Sequence, residues 1–158
     1  MQEKSKTVSC SRIKQIQLVM PQHANNANRL FGGQLMAWVD VVGGIVAFRH
    51  SESHCITAAI DYLSFDKPIY PKDIIVLDGC ITHVGNSSME IRVDTFVEKP
   101  GGILEQANRA YLIYVALDEQ GVPRRVPRLV LETDEERAEW EEGTNRAKSR
   151  EARHRKAN

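Results

Sequence analysis

The stretch Gly32-Gly33-Gln34-Leu35-Met36-Ala37-Trp38-Val39-Asp40-Val41-Val42-Gly43-Gly44-Ile45-Val46-Ala47-Phe48 decides how this chain is read. Its pattern is that of one helix, apolar on nearly every side, and such a helix belongs in the middle of a core. Between Gly33 and Phe48 the only ionisable side chain is Asp40. A lone carboxylate in apolar surroundings is costly, so Asp40 is expected to be paired, hydrogen-bonded or protonated, or retained for chemistry. Leu35, Val39, Val42 and Val46 form an apolar stripe at helical spacing, while Met36, Gly43 and Ala47 share the face of Asp40, so no wide polar face remains for it. Gly43 and Gly44 have low helix propensity and are expected to mark another backbone passing close by.

Working outward, residues 11–20 alternate Ile16, Leu18 and Met20 with their neighbours and read as a strand that Pro21 ends. Residues 21–31 form a loop, with Asn25, Asn26 and Asn28 favouring turn conformations. After a polar connector at 49–54, runs at 55–65, 74–84, 89–98 and 104–117 read as strands. The third is the cleanest: Met89, Ile91, Val93, Thr95 and Val97 alternate with Glu90, Arg92, Asp94, Phe96 and Glu98. That pattern predicts one buried face and one wet face. The short connections leave no room for parallel crossovers, which predicts an antiparallel meander. A curved sheet around one buried helix, an α+β class, is the simplest cover for it.

Residues 11–131 are expected to form one domain, with 1–10 a flexible N-terminus. Residues 132–158 begin with a capping box, Thr133-Asp134-Glu135-Glu136, and run from acidic to basic, as the helix dipole prefers. With Ala138 and Trp140 as its main apolar contributions, this charged segment is expected to be a solvated helix fraying into disorder.

A formal net charge of +0 over 158 residues points to neither nucleic acid nor a membrane as partner. The polar residues 1–10 carry no apolar run of a secretory signal. The central helix is short, interrupted by Gly43-Gly44 and charged at its midpoint, which argues against a bilayer span. Cys10, Cys55 and Cys80 are odd in number and widely separated, as in a reduced, cytoplasmic setting. His50, His54 and His83 have no metal-ligand spacing, and no metal is expected.

Gly32-Gly33 at the helix start offers N–H groups that lack intrahelical acceptors, at the positive end of the dipole, suited to an oxyanion or a polarised carbonyl. With the Asn25 amide upstream and Asp40 two turns along, these groups describe hydrolysis or proton transfer at an acyl carbonyl. Asp40 lies roughly 10 Å along the axis from Gly33, so a second copy of the chain is expected to supply the missing partner. His23 reads first as a structural hydrogen-bonder and second as a base.

Met20-Pro21-Gln22-His23-Ala24-Asn25 followed by Leu30-Phe31-Gly32-Gly33-Gln34-Leu35-Met36-Ala37-Trp38-Val39-Asp40 strongly resembles the hotdog-fold acyl-CoA thioesterases of the bacterial YciA and cytosolic long-chain acyl-CoA hydrolase type. The likeness continues through Thr57-Ala58-Ala59, Phe65-Asp66-Lys67-Pro68, Val84-Gly85-Asn86-Ser87-Ser88-Met89, Val115-Ala116-Leu117-Asp118 and Val126-Pro127. It implies a helix wrapped by an antiparallel sheet, dimers with active sites between subunits, and often a trimer of dimers. It also implies hydrolysis of the acyl-CoA thioester without metal or organic cofactor, coenzyme A being part of the substrate. By position, Asn25 would orient the thioester or water, Asp40 of the partner would act as base or nucleophile, and the Gly33 region would hold the carbonyl oxygen. Gly85, Asn86, Ser87 and Ser88 would contact coenzyme A. Where that family usually has glycine this chain has Asn28, a residue that tolerates positive φ. A non-catalytic acyl-CoA-binding module and a dehydratase using His23 are the alternative readings.

Overall fold

The computed structural model describes residues 4–158. Five strands form one antiparallel sheet in the order β2-β4-β5-β6-β3: β2 Ile13–Leu18, β3 Cys55–Leu63, β4 Ile74–Val84, β5 Ser88–Lys99 and β6 Ile103–Ala116. Helix α1, Gly32–Ser51, touches all five. Its stripe of Leu35, Val39, Val42 and Val46 is buried against the sheet, as the spacing predicts. The opposite side is not covered: Val41 and Phe48 are about half exposed, at 52% and 51%, and Met36 and Ile45 are exposed with them. A helix apolar all round is thus buried on one side only within a single chain.

The meander holds for β4, β5 and β6 and fails for β3, which pairs with β6 at the far edge of the sheet. The reason lies in the helix. At roughly 30 Å long, α1 carries the chain from edge strand β2 beneath every strand to the opposite edge. Residues 64–73 then bring it back, bonding to β6 on the way through Asp66 N–H to Ala107 O at 3.1 Å. Strand alternation says which side chains share a face, not which strand is the neighbour.

Two expectations about the ends are corrected. Residues 1–3 lie outside the described residues, but from Ser5 onward the N-terminus is ordered by pairing: β1, Ser5–Thr7, runs parallel to β7, Arg128–Val130. Lys6 adds an ion pair to Glu52 at 2.7 Å and a bond to Arg49 O at 2.7 Å, tying this strand to the end of α1. The charged C-terminal segment forms α2, Asp134–Ala157, started by the expected capping box of Thr133 and Glu136. Residues 151–158 are exposed as expected, but the part before them is not a loose solvated helix. It packs on the outer face of the sheet, where Trp140 stacks near His83 with ring centroids 4.3 Å apart.

The outer face of β5 is therefore dry where alternation predicts water. Glu90, Arg92 and Asp94 are all buried: α2 lays charged partners over Glu90 and Arg92, and Asp94 is held by Arg92 of its own strand and by Gln106 and Arg109 of β6. Arg146 grips Glu90 with two bonds of 3.0 and 2.9 Å, Thr82 donates to the same carboxylate at 2.7 Å, and Glu139 accepts from Arg92 at 2.8 Å. Arg150 and Arg153 reach Asp61, which sits at an irregularity in β3 between Ile60 and Tyr62. A buried charge left without its partner is costly, so moving α2 away would strand Glu90 and Arg92 on the sheet.

Burial pushes the Glu90 carboxyl up, and the bonds from Arg146 and Thr82 with the charge of Arg150 push it down by more, leaving it below the ordinary 4.5. Stability from this depressed group is whole above the unfolded value and is lost as pH falls through the folded one. Thermal melts are expected to show that loss in the wild type and a smaller one in Glu90→Gln, where Glu52 and Glu105, held low by Lys4, Lys6 and Lys67, still contribute. Arg146→Met is expected to cost about 3–5 kcal/mol in urea denaturation at pH 7.

Candidate active site

Asp40 is half-buried, on the flank of α1 between the covered and bare sides. One carboxylate oxygen is held twice: Thr57 Oγ1 donates to Oδ1 at 2.8 Å, and the Tyr114 hydroxyl donates to the same Oδ1 at 2.8 Å. Thr57 and Tyr114 are register partners across β3 and β6, so their side chains stand next to each other on one face of the sheet. Tyr114 also reaches the main-chain oxygen of Asp40 at 3.0 Å. Among the described residues Oδ2 accepts no hydrogen bond. The lone acid is therefore paired with neutral donors rather than with a cation, and one oxygen remains free.

The glycine pair beside it has a different explanation from the one expected. No backbone crosses at Gly43; the Tyr114 side chain does, and a Cβ at Gly43 would collide with the Tyr114 hydroxyl and come within 3.0 Å of its ring. At Gly44 the nearest ring atom would be 3.9 Å away, an ordinary contact. Only the first glycine is demanded by the packing.

The loop before α1 is more structured than a run of asparagines suggests. A 3-10 turn at Pro21–His23 leads to an isolated bridge between Ala24 and Leu30. Asn25 Oδ1 accepts from Ala27 N–H at 2.9 Å and Arg29 N–H at 3.2 Å, which commits the oxygen and leaves the amide nitrogen as the outward donor. Asn28 has φ 55°, the left-handed conformation that its tolerance allowed for. His23 takes the structural role: its Nδ1 accepts from Met20 N–H at 3.0 Å and its ring meets Trp38 edge-on at 4.9 Å. That nitrogen is therefore occupied as an acceptor and is not free as a base.

Gly32 and Gly33 carry the first two N–H groups of α1, and Phe31, the residue before them, makes no side-chain cap bond. A cavity of about 320 Å³ is lined by Asn25, Arg29, Leu30, Leu35, Phe65, Asp66, Lys67, Pro68, Ile69 and Ala107; Gly32 and Gly33 do not line it, though Gly32 lies against the Phe65 ring. A lining that mixes apolar side chains with charged and amide groups suits a small-molecule group. Asp40 does not line this cavity. One chain puts Asn25 in this cavity with Leu35 of the first turn of α1 and leaves the Asp40 carboxylate outside it, as the axial separation anticipates.

The Gly85-Asn86-Ser87-Ser88 turn joins β4 to β5 and is bound to the C-terminal part of the domain: Arg128 donates to Gly85 O at 2.8 Å, and Val126 N–H donates to Asn86 O at 2.9 Å. Among the described residues no hydrogen bond joins it to Asn25 or Asp40. Among the described residues, no group of three or more His, Cys, Asp and Glu side chains is placed to hold a metal ion. No helix among them is long and apolar enough to cross a membrane.

A family model described as Thioesterase superfamily matches residues 27–103. A Bacillus subtilis protein named as an uncharacterized acyl-CoA thioester hydrolase, YkhA, is 43% identical over 135 residues, covering 85% of this chain and 75% of that protein. The chain belongs to the thioesterase superfamily. Its sheet wrapped on a single long helix is the hotdog fold of that family. The cytosolic acyl coenzyme A thioester hydrolase of Mus musculus is 37% identical over 144 residues, or 89% of this chain, which spans only 38% of that longer relative. Among solved structures, this thioesterase-family chain matches an acyl-CoA hydrolase from Staphylococcus aureus in complex with butyryl coenzyme A, coenzyme A and coenzyme A disulfide. The TM-score is 0.92 at 32% identity, covering 97% of this chain and 94% of that one. An acyl-CoA thioesterase solved as an apo hexamer matches with a TM-score of 0.91 at 32% identity, covering 96% and 97%.

Thr57 and Tyr114 are site residues that the sequence reading passed over. Thr57 lies within the family likeness without a role there, and Tyr114 falls inside the strand read at 104–117 with nothing to single it out. The signal available was Gly43, one turn from the only acid of the helix, which marks a close approach without naming what approaches. The left-handed position of the Asn25 loop yields a stability test: Asn28→Gly is expected to be near neutral and Asn28→Ala to cost about 1–2 kcal/mol, read by chemical denaturation.

Proposed function

We propose that this chain hydrolyses acyl-CoA thioesters to the free acid and coenzyme A. The observation that carries the reading is the Asp40 carboxylate, pinned through Oδ1 and open at Oδ2, on a fold shared with an acyl-CoA hydrolase solved with coenzyme A ligands. The thioester carbonyl lies at the start of α1, where the Gly32 and Gly33 N–H groups and the Asn25 amide stabilise the charge that develops on its oxygen. Asp40 Oδ2 takes a proton from water as the water attacks the carbonyl carbon, or attacks that carbon itself. On the base route the tetrahedral intermediate expels the coenzyme A sulfur, which leaves as the thiol with the proton Asp40 took up; on the nucleophile route the sulfur leaves as thiolate, and water then hydrolyses the acyl-aspartyl anhydride to the free acid, restoring the Asp40 carboxylate and supplying the proton of the thiol. Water and the chain's own groups suffice for this reaction, with coenzyme A entering as part of the substrate.

The site is completed by a second copy, whose Asp40 faces the first copy's Asn25 cavity. Two features support this: the bare apolar side of α1, and the unpaired edge of β3, where Ile56, Ile60 and Tyr62 are exposed. Three such dimers would make the hexamer. The Gly85–Ser88 turn, with Asn86 exposed, is assigned to coenzyme A contact, and the cytosol is the proposed compartment.

Thiol release across short, medium and long acyl-CoA substrates tests the activity. Asp40→Asn is expected to lower kcat by roughly a hundredfold or more, and Asn25→Ala by about two to three orders of magnitude. Mixing these two inactive variants under exchange conditions is expected to restore activity, because one site of each mixed dimer is then intact. Protein that binds acyl-CoA yet releases no thiol would instead be a binding module.

A further inference from the structure

We propose that Tyr114 is a positioning residue which, together with Thr57, selects Oδ2 of Asp40 as the reacting oxygen, and that Gly43 is glycine in order to admit the Tyr114 hydroxyl. The inference rests on the thioesterase reading above and adds to it the device that sets the acid's orientation.

A carboxylate has two chemically equivalent oxygens and turns about its own bond. An acid that must meet a substrate held by another element gains from having that rotation removed before the substrate arrives. Here two donors converge on Oδ1 from neighbouring strands, Thr57 of β3 and Tyr114 of β6, each at 2.8 Å. The Tyr114 hydroxyl has one proton, and it shares it in a three-centre bond between Oδ1 and the Asp40 main-chain oxygen at 3.0 Å. The second acceptor anchors the hydroxyl to the helix itself, so the side chain is referenced to its own backbone. Tyr114 is only 2% exposed, and its ring is locked in the core. Burial, and then the bond to the Asp40 carboxylate, hold the phenol well above its ordinary value, so it remains a donor across the working pH range.

Gly43 lies three residues after Asp40, on the same face of α1. The hydroxyl reaches Asp40 by passing over the Gly43 backbone, through the space a Cβ would fill. This accounts for a glycine in the interior of a well-packed helix, where it is otherwise a poor choice.

The test uses the full-length protein with Tyr114→Phe, Gly43→Ala, Thr57→Val, and the pairs Gly43→Ala/Tyr114→Phe and Thr57→Val/Tyr114→Phe. Tyr114→Phe keeps the ring and is expected to lower kcat about tenfold with KM within about twofold. That is less than the roughly hundredfold cost of a misplacement of about 1 Å, because Thr57 still holds Oδ1. Thr57→Val/Tyr114→Phe is expected to fall further than either single change. Gly43→Ala, which retains the tyrosine, is expected to reproduce the kcat loss of Tyr114→Phe, and the pair to be no worse than either alone. An unchanged kcat in Tyr114→Phe, equal changes in kcat and KM, or additive losses for Gly43 and Tyr114 overturn the proposal.

Denaturation of the same proteins supplies a readout independent of turnover. Gly43→Ala is expected to lower the unfolding midpoint and Tyr114→Phe to recover part of that loss by removing the colliding hydroxyl; no recovery overturns the steric half of the proposal. Asp40→Asn in the same assay separates the failures. If it remains fully active, the thioesterase assignment of Asp40 falls. If it is inactive while Tyr114→Phe is not impaired, only the present inference falls.

Discussion

A carboxylate on an apolar helix can be tolerated only if something donates to it, and in this chain that requirement reaches across the fold. The donors to Asp40 come from two strands that are adjacent only because α1 carries the chain to the far edge of the sheet. Had β3 paired with β4, as a simple meander would have it, Thr57 and Tyr114 would not be neighbours. The crossing helix, the edge position of β3 and the absent side chain at Gly43 thus belong to one solution. Its cost is a glycine in a helix and a strand left with an open edge; what it provides is an acid with one oxygen fixed and the other free.

The two sides of α1 divide the molecule's chemistry. On the covered side, aliphatic stripe and sheet interdigitate as an ordinary core. On the bare side, Val41, Ile45 and Phe48 continue the same apolar character with nothing over them in the single chain. Contiguous exposed apolar surface of this kind marks a place of contact. It lies near the flank that carries Asp40, while Asn25 and the helix start hold a cavity that this aspartate does not reach. Under the proposed function the incomplete site and the incomplete core have the same remedy.

The outer face of the sheet solves a different problem. There Glu90 and Arg92 would be water-facing on a lone sheet, and α2 turns them into interior groups by bringing Arg146 and Glu139 with it, while Asp94 is closed off by Gln106 and Arg109 of β6. Glu90 and Arg146 stand 56 positions apart in sequence, and each taken alone looks like surface. The segment's low apolar content suggests weak attachment, because apolar content measures only one kind of attachment. Charge pairs between distant segments leave no periodic trace in either one.

What the amino-acid order settled without help was local. Periodicity located α1 and the long strands, beginning β4 at Ile74 and ending it at Val84 as observed, and the lone acid, the loop amide and the glycines at the helix start were visible as the candidates for chemistry. These are properties of neighbours along the chain, and side chains repeat at the spacing of the backbone that bears them. Folding in three dimensions decided which strand lies beside which, that a tyrosine rather than a backbone occupies the space at Gly43, that β1 finds β7, and that a charged tail becomes a packed helix. Each depends on two segments distant in sequence meeting at one place, and the energy of that meeting belongs to the pair and to neither segment alone.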